Sequence, residues 1–388
     1  MSFNLLNGKC QAKLSTLNLA TRIISMIVIV TFCCSCSQKD EDTAQSDRRQ
    51  QYTYIEQEIS FRNDQDGIRL AGTLTIPDVS PPLVAVILIQ NCSTDRNLTT
   101  GRHCPFKELA AHLARSGMVV LRADSRGIGQ SEGKAWPACT KSDIASDINA
   151  AIIYLRNRPD TGSLRIGLIG HSEGANVASM VAARFSNVAF VVMLSGQGLP
   201  GSDVLCMQIR SVAKAFGVED SAIDMRVQLI EATAEVLRMY SDEDMVRANL
   251  VRLFDDYLHN KRLALTKSGY PAPDNAEDYA SGVLLPWMKD FMLYDPRQDL
   301  SRVQCPLLSL IGEKDMQILP RENNAAIEKA LLNSGNKDYS VRQLPGLNHL
   351  LQTARTGSPA EYQHIDEAIS PSALNLISTW IHKQIGSE

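Results

Sequence analysis

Short, continuous apolar runs alternate with stretches of helical spacing along most of this chain, and that alternation restricts the possible folds more than any other feature. The runs at 83–89 and 118–123 are rich in β-branched residues, as in strands buried on both faces. Helical spacing at 106–115 separates them. This order favours a parallel sheet with right-handed crossovers and flanking helices. Further strands are predicted at 165–169, 188–194, 306–311 and 339–344, and further helices at 142–156, 174–185, 321–332 and 371–385.

Two segments depart from this alternation. Period-two patterns at 54–61 and 69–76 flank Asp66-Gly67, which predicts an antiparallel hairpin at one edge of the sheet. From 201 to about 290 the spacing is helical, with no convincing strand. A helical block inserted between strands of an α/β core is best interpreted as a cap over the site. A separate helical domain with its own partner is the alternative. The predicted helices of this block are 204–216, 221–240 and 242–261.

The N-terminal segment has the dimensions of an export signal. Lys9, Lys13 and Arg22 precede a short apolar run at 23–32, which is too short to span a bilayer comfortably. Ser35-Cys36 resembles the cleavage site of bacterial lipoproteins, and the polar stretch that follows resembles a surface-export signal. We therefore predict lipidation at Cys36 and an exported, membrane-anchored lipoprotein, periplasmic or at the cell surface. An uncleaved anchor or a plain secretory signal is the alternative.

Charge and cysteine spacing limit the expected partners. The net charge is −4, and the sequence has no basic stripe with interleaved aromatic residues, so no nucleic-acid partner is expected. No CxxC pair exists, so no metal site is predicted. Membrane contact is expected only through the lipid anchor.

The predicted organisation has five segments. They are a signal peptide at 1–36, a flexible tether at 37–51, the first part of the core at 52–198, the helical cap insertion at 199–295 and the second part of the core at 296–388.

The strand predicted at 165–169 runs directly into Gly170-His171-Ser172-Glu173-Gly174, and a helix begins at once. Glycines suit a turn too tight for side chains, and such a turn lifts a serine hydroxyl clear of the sheet. The helix N-terminus behind the serine favours developing negative charge. A bare G-x-S-x-G pattern is common, but these flanks are typical of a nucleophile elbow. We predict Ser172 as the nucleophile; a structural glycine–serine turn is the alternative.

A serine nucleophile needs a base, and the base needs an orienting carboxylate. At an elbow of this kind the chain order is serine, acid, histidine. Asp315 lies just past one predicted strand and His349 just past the next, so we predict them as acid and base. Glu313 is the local rival for the acid. His171 sits inside the elbow, where its side chain is poorly placed to act as the base.

The tetrahedral intermediate of acyl transfer needs two backbone N–H donors. One is predicted at Glu173, directly after the nucleophile. The other is predicted in the loop at 90–96, from Asn91 or Cys92. This second prediction rests on position alone, because a backbone donor leaves no residue signature.

A second glycine-rich stretch, at 124–133, follows a predicted strand. A dinucleotide fingerprint would place G-x-G-x-x-G at the opening of a helix, whereas these glycines occupy a longer loop. Nucleotide binding is therefore excluded. We interpret the loop as support for the elbow, with an ion pair between Asp124 and Arg126.

Together these motifs resemble the α/β-hydrolase superfamily, and most closely EstD-like bacterial carboxylesterases, relatives of the S9 and S33 peptidase-type hydrolases. The resemblance implies Ser172 as nucleophile, Asp315 as acid and His349 as base. One departure is the sequence at 90–93, Gln-Asn-Cys-Ser, where the group usually carries a Gly-Ser-Gly-Pro type loop. Bulkier residues there either narrow the acyl pocket or alter the oxyanion hole. The segments that carry the resemblance are 94–97, 124–133, 170–174, 312–315, 348–349 and 362–380.

The predicted fold is thus an α/β-hydrolase fold with a mostly parallel sheet and an inserted helical cap. The predicted activity is that of a serine hydrolase of the carboxylesterase type (EC 3.1.1). It would act on small or medium acyl esters through an acyl-enzyme, with a small-molecule ester as partner and no metal or organic cofactor. A serine peptidase or amidase of the same fold is one alternative. A non-catalytic, ligand-binding surface lipoprotein is another, although the Ser, Asp and His at their expected places argue against it.

Overall fold

The computed structural model describes residues 52–185, 187–267 and 275–386, with side chains in the helix that ends at 267 described as far as 259. The predicted signal peptide, the lipidation site at Cys36 and the tether lie outside the described residues. No helix within the described ranges is long and apolar enough to cross a membrane.

The described strands form one eight-stranded sheet in the order β1-β2-β4-β3-β5-β6-β7-β8. β2 pairs antiparallel with β1 and with β4, and every other pairing is parallel. The prediction of a mostly parallel sheet with an antiparallel hairpin at its edge is confirmed. The strands are β1 (Tyr54–Asn63), β2 (Ile68–Pro77), β3 (Ala85–Ile89), β4 (Val119–Ala123), β5 (Ile166–His171), β6 (Phe190–Leu194), β7 (Leu307–Gly312) and β8 (Tyr339–Leu344).

Burial along the strands explains their composition. Every residue of β3, β5, β6 and β7 is buried, whereas β1 at the sheet edge is mostly exposed and alternates only in its second half. Strands covered on both faces are expected to be continuously apolar. One hydrophobic cluster joins the central strands to the helices at 105–115 and 371–385. In this cluster the rings of Trp380 and Phe190 meet edge to face, with centroids 5.8 Å apart. The helices of the sheet-containing part are α1 (Pro105–Arg115), α2 (Lys141–Arg156), α3 (Glu173–Arg184), α9 (Pro296–Leu300), α10 (Pro320–Ser334) and α11 (Pro371–Ile385), with a 3-10 helix at Pro359–His364.

The described residues fall into two compact units, a sheet unit (52–200 and 295–386) and an insertion unit (201–294). The insertion unit is helical, and Phe254 stacks on Tyr279 in its interior with ring centroids 4.4 Å apart. Its two ends meet, because the Gly201 N–H donates to the Tyr294 carbonyl at 2.9 Å. The unit consists of α4 (Gly201–Ala215), α5 (Asp220–Met239), α6 (Glu243–Lys267), α7 (Ala276–Val283) and α8 (Pro286–Leu293).

Candidate active site

Ser172 stands between β5 and α3 in a backbone conformation that side chains rarely adopt. Its φ is 55° and its ψ is −120°, and its side chain is only partly buried while both neighbours are buried. A non-glycine residue with this φ is strained, and it keeps this conformation only where its surroundings fix it. The Ser172 N–H donates to the Leu194 carbonyl at 2.8 Å, which ties the turn to the end of β6. The turn therefore presents the serine hydroxyl at the carboxyl edge of the sheet.

The two glycines of the elbow are required by close backbone approach. A Cβ on Gly170 would lie 2.1 Å from the Gly174 carbonyl oxygen, inside the turn itself. A Cβ on Gly174 would lie 2.1 Å from the Ile89 carbonyl oxygen at the end of β3. Helix α3 thus begins directly against the loop that follows β3. This contact brings together the two segments predicted to supply the oxyanion donors.

Asp315 and His349 form a buried pair at the ends of β7 and β8. His349 Nδ1 lies 2.8 Å from Asp315 Oδ2, and the two side chains are 5% and 0% exposed. Asp315 Oδ1 also accepts from the backbone N–H groups of Gln317 and Ile318, each at 2.8 Å. Because the carboxylate fixes Nδ1, His349 Nε2 remains for a proton transfer. The rival Glu313 is exposed and accepts instead from the Gly346 N–H.

The backbone of His349 is held from two sides. Its carbonyl oxygen is 2.9 Å from His171 Nε2 and 2.9 Å from Ser195 Oγ. A carbonyl only accepts, so His171 carries its proton on Nε2. Ser195 follows β6 with a φ of 50° and is fully buried. These contacts link His349 to the residue that precedes Ser172 and to the neighbouring strand end.

His171 remains neutral across the ordinary pH range. Burial, with a smaller contribution from His349, lowers its pKa to about 3. Its ring lies edge to face against that of His349, with centroids 4.9 Å apart. The sequence-based argument against His171 as the base agrees with this geometry, since its Nε2 already donates to a carbonyl.

The loop after β3 is anchored by side-chain hydrogen bonds. Ser125 Oγ donates to the Asn91 carbonyl at 2.7 Å, and Gln90 Nε2 donates to the Ala123 carbonyl at 2.6 Å. Asn91 Oδ1 accepts from the Ser93 N–H at 3.0 Å, which makes an Asx turn. Cys92 is fully buried. The bulkier residues of this loop are therefore used to fix its backbone.

The ion pair predicted between Asp124 and Arg126 is wrong. Asp124 pairs with Arg96 at 2.7 Å, whereas Arg126 pairs with Asp147 at 2.8 Å and with two further carboxylates. Burial raises the pKa of Asp124, but the hydrogen bonds and charge of Arg96 outweigh it and hold that pKa below its ordinary value. Asp124 and Arg126 are two residues apart but face different neighbours, so their closeness in the sequence was a poor guide to pairing.

Sequence reasoning missed Lys141, which lies at the start of α2 and reaches Glu173. Its Nζ is 2.9 Å from Glu173 Oε1, and the lysine side chain is 0% exposed. One signal was available: lysine is unfavourable at the positive end of a helix dipole, so its presence there calls for a partner. His171 and Ser195 were likewise missed as supports of His349.

Comparisons with known proteins agree with this architecture. The sequence model of the S33 serine aminopeptidase family matches residues 101–258. The esterase EstD of Thermotoga maritima is 23% identical over 335 residues, which are 85% of this chain and 69% of that protein. The monoacylglycerol lipase of Mycolicibacterium smegmatis is 22% identical over 286 residues, 73% of this chain and 86% of that protein.

Among solved structures, the proline iminopeptidase of Mycobacterium smegmatis superposes with a TM-score of 0.51 at 15% identity, covering 85% of this chain and 99% of that one. The strand order, the conformation of the elbow and these matches all indicate the same fold. The chain has the α/β-hydrolase fold. The resemblance to EstD-like esterases and their S33 relatives, predicted from the motifs, is confirmed. The chain is similar to esterases at low identity, and its likeness to the iminopeptidase concerns the fold.

Proposed function

We propose that this protein, which has the α/β-hydrolase fold, is a serine carboxylesterase that cleaves small or medium acyl esters. The observation that carries the proposal is the buried hydrogen bond between Asp315 and His349. The carbonyl of this histidine also accepts a hydrogen bond from His171, which directly precedes Ser172. Ser172, Asp315 and His349, the proposed nucleophile, acid and base, each follow a strand at the carboxyl edge of the sheet, which supports the proposal. Relatives named as esterases support an ester rather than another acyl substrate.

The reaction would proceed in two acyl transfers. His349 Nε2 takes the proton of the Ser172 hydroxyl as the oxygen attacks the ester carbonyl carbon. The negative charge on the carbonyl oxygen is received by the N–H of Glu173 and by an N–H of Asn91 or Cys92. His349 then gives its proton to the departing alcohol. Water repeats the sequence on the acyl-enzyme and releases the acid. Asp315 keeps the imidazole in the required tautomer throughout.

The test is covalent labelling combined with turnover. The wild-type protein should react with a fluorophosphonate probe at Ser172 and hydrolyse p-nitrophenyl acetate. The Ser172→Ala variant should lose the label and at least a thousandfold of kcat, because nucleophile and base act as one unit. Ser179→Ala is the matched control, since Ser179 is a buried serine on the same helix α3. A Ser172→Ala protein that hydrolyses the ester at the wild-type rate would contradict the proposal.

A peptidase is the second candidate, favoured by the match to the serine aminopeptidase family. It would use the same three side chains, so labelling does not separate the two activities. Comparing kcat/KM for aminoacyl amides and acyl esters does, and we expect the esters to be preferred. A wild-type protein that is neither labelled nor active would instead indicate a ligand-binding role.

A further inference from the structure

A buried ion pair lies beside the proposed nucleophile. Lys141 Nζ and Glu173 Oε1 are 2.9 Å apart, and their side chains are 0% and 7% exposed. Lys141 is the first residue of α2 and Glu173 is the first residue of α3. The acyl-transfer steps use the backbone of Glu173 but neither of these side chains.

Stability alone does not account for Lys141. Lysine is almost never fully buried, and removing an ammonium from water carries a penalty that an ion pair only partly recovers. The start of a helix disfavours a cation as well, because the macrodipole is positive there. An apolar side chain of similar volume is often as stabilising at such a position. A function for the charge is the better explanation.

The carboxylate of Glu173 creates an electrostatic problem that Lys141 solves. The carboxylate is a few covalent bonds from the N–H proposed to receive the oxyanion, so both negative charges would share the positive end of α3. At a separation of about 6 Å and an effective dielectric constant of about 20, their repulsion corresponds to roughly a hundredfold in rate. A cation paired with the carboxylate removes most of that penalty.

The second oxyanion segment lies within the same charge environment. The contact with Cys139 and burial raise the pKa of the Cys92 thiol, the Glu173 carboxylate adds to the rise, and the Lys141 ammonium opposes it. Cys92 Sγ also lies 3.7 Å from the Cys139 carbonyl, two residues before Lys141. The titratable groups around the pair therefore include the Cys92 and Cys139 thiols.

We propose that Lys141 is a positioning residue for the oxyanion hole, which neutralises the Glu173 carboxylate and keeps it from competing with the oxyanion. This inference rests on the proposed serine hydrolase function. It predicts that the charge on Lys141 matters to kcat rather than to substrate binding, since the competing negative charge appears on the substrate only in the transition state.

The experiment uses the full chain with Lys141→Met, which removes the charge and shortens the unbranched side chain by one heavy atom. With p-nitrophenyl acetate, kcat should fall at least tenfold while KM changes less than threefold. The affinity for phenylboronic acid, whose serine adduct carries the same negative charge, should fall by a similar factor. Adding Glu173→Gln to this variant should recover most of the lost kcat. Lys141→Gln carries the same expectation where Lys141→Met does not fold.

Asp147→Asn is the matched control, because Asp147 lies on the same helix and forms another buried ion pair, with Arg126. It should lower the melting temperature and leave kcat within twofold. A Lys141→Met protein with wild-type kcat, or a double variant as slow as Lys141→Met, would overturn the inference. Fluorophosphonate labelling of the wild type separates the two failures: an unlabelled wild type refutes the proposed function, whereas a labelled one with an unaffected Lys141→Met refutes only the role of Lys141.

Discussion

Single residues in unusual conformations support the candidate active site. Ser172 and Ser195 have φ values of 55° and 50°, and each directly follows the carboxyl end of a strand. Such conformations persist only where neighbouring contacts determine them. At Ser195 the contact is the hydrogen bond from its hydroxyl to the His349 carbonyl. The strained serine thus contributes to the position of the proposed base.

Removing that hydroxyl should slow the reaction modestly. In Ser195→Ala the His349 carbonyl keeps the hydrogen bond from His171 and loses the other. A neutral hydrogen bond contributes about 1 kcal/mol, so we expect kcat to fall about fivefold with KM unchanged. Steady-state kinetics on p-nitrophenyl acetate measures this. Ser179→Ala, which removes a bond to the Asn176 carbonyl, is the control, and an equal loss of kcat there would contradict the assignment.

The residues of the candidate site could be predicted from the sequence in unequal measure. Ser172, Asp315 and His349 each follow a predicted strand, and a parallel sheet gathers such positions at one edge. Ser195 was not accessible, because its partner His349 lies far along the chain and its own surroundings carry no pattern. For Lys141, the lysine at a helix start calls for a partner but does not identify Glu173 as that partner. The pairing of Arg126 with Asp147 escaped for the same reason.

At the level of elements, the candidate site depends on the close contact between the start of α3 and the end of β3. A Cβ at Gly174 would lie 2.1 Å from the Ile89 carbonyl, so one of the two backbones has to move. That movement would separate Glu173 from the loop at 90–92. The geometry of the proposed oxyanion hole thus depends on a residue without a side chain.

Gly174→Ala should therefore reduce activity and stability together. We expect kcat to fall more than a hundredfold, and the free energy of unfolding to fall by about 1–3 kcal/mol, as for overpacked cores. Ester kinetics and denaturant unfolding measure the two effects. Gly386→Ala serves as the comparison, since its Cβ would lie 3.3 Å from the His382 carbonyl at a helix end. Wild-type kcat in Gly174→Ala would show that the contact is not critical.

The sequence predicted the order and type of the main elements, with boundaries that differ by a few residues. The strand at 339–344 and the helix at 371–385 agree at both ends. Helices α7 and α8 were not resolved individually, because each spans only eight residues and a short helix gives two turns of periodicity. The 3-10 helix at Pro359–His364 was missed because it is shorter still.

For the whole molecule, burial of His171 makes stability depend on pH. In the unfolded chain a histidine has a pKa near 6.5, whereas in the fold that of His171 is about 3. Between these values the unfolded state binds a proton that the folded state does not. Protonation of His171 in the unfolded chain therefore lowers the free energy of unfolding as the pH falls from about 6.5 toward 3, and it has no such effect above about pH 6.5.

This effect is testable with His171→Gln, whose amide can still donate to the His349 carbonyl but does not titrate. Denaturant unfolding across pH 3 to 8 should show the wild type losing up to about 1.4 kcal/mol per pH unit more than the variant in the acidic range. Above pH 7 the difference between the two should be constant. Parallel curves throughout would show that His171 does not couple folding to protons.

The two ends of the insertion unit meet at the hydrogen bond from the Gly201 N–H to the Tyr294 carbonyl. A Cβ on Gly201 would lie 1.7 Å from the Phe291 carbonyl oxygen, so this junction also requires glycine. A segment whose two ends are adjacent can be removed or replaced without stretching the chain on either side of it. In evolutionary terms, residues 201–294 are an exchangeable module that one genetic event can gain, lose or substitute, while β6 and β7 remain neighbours in the sheet.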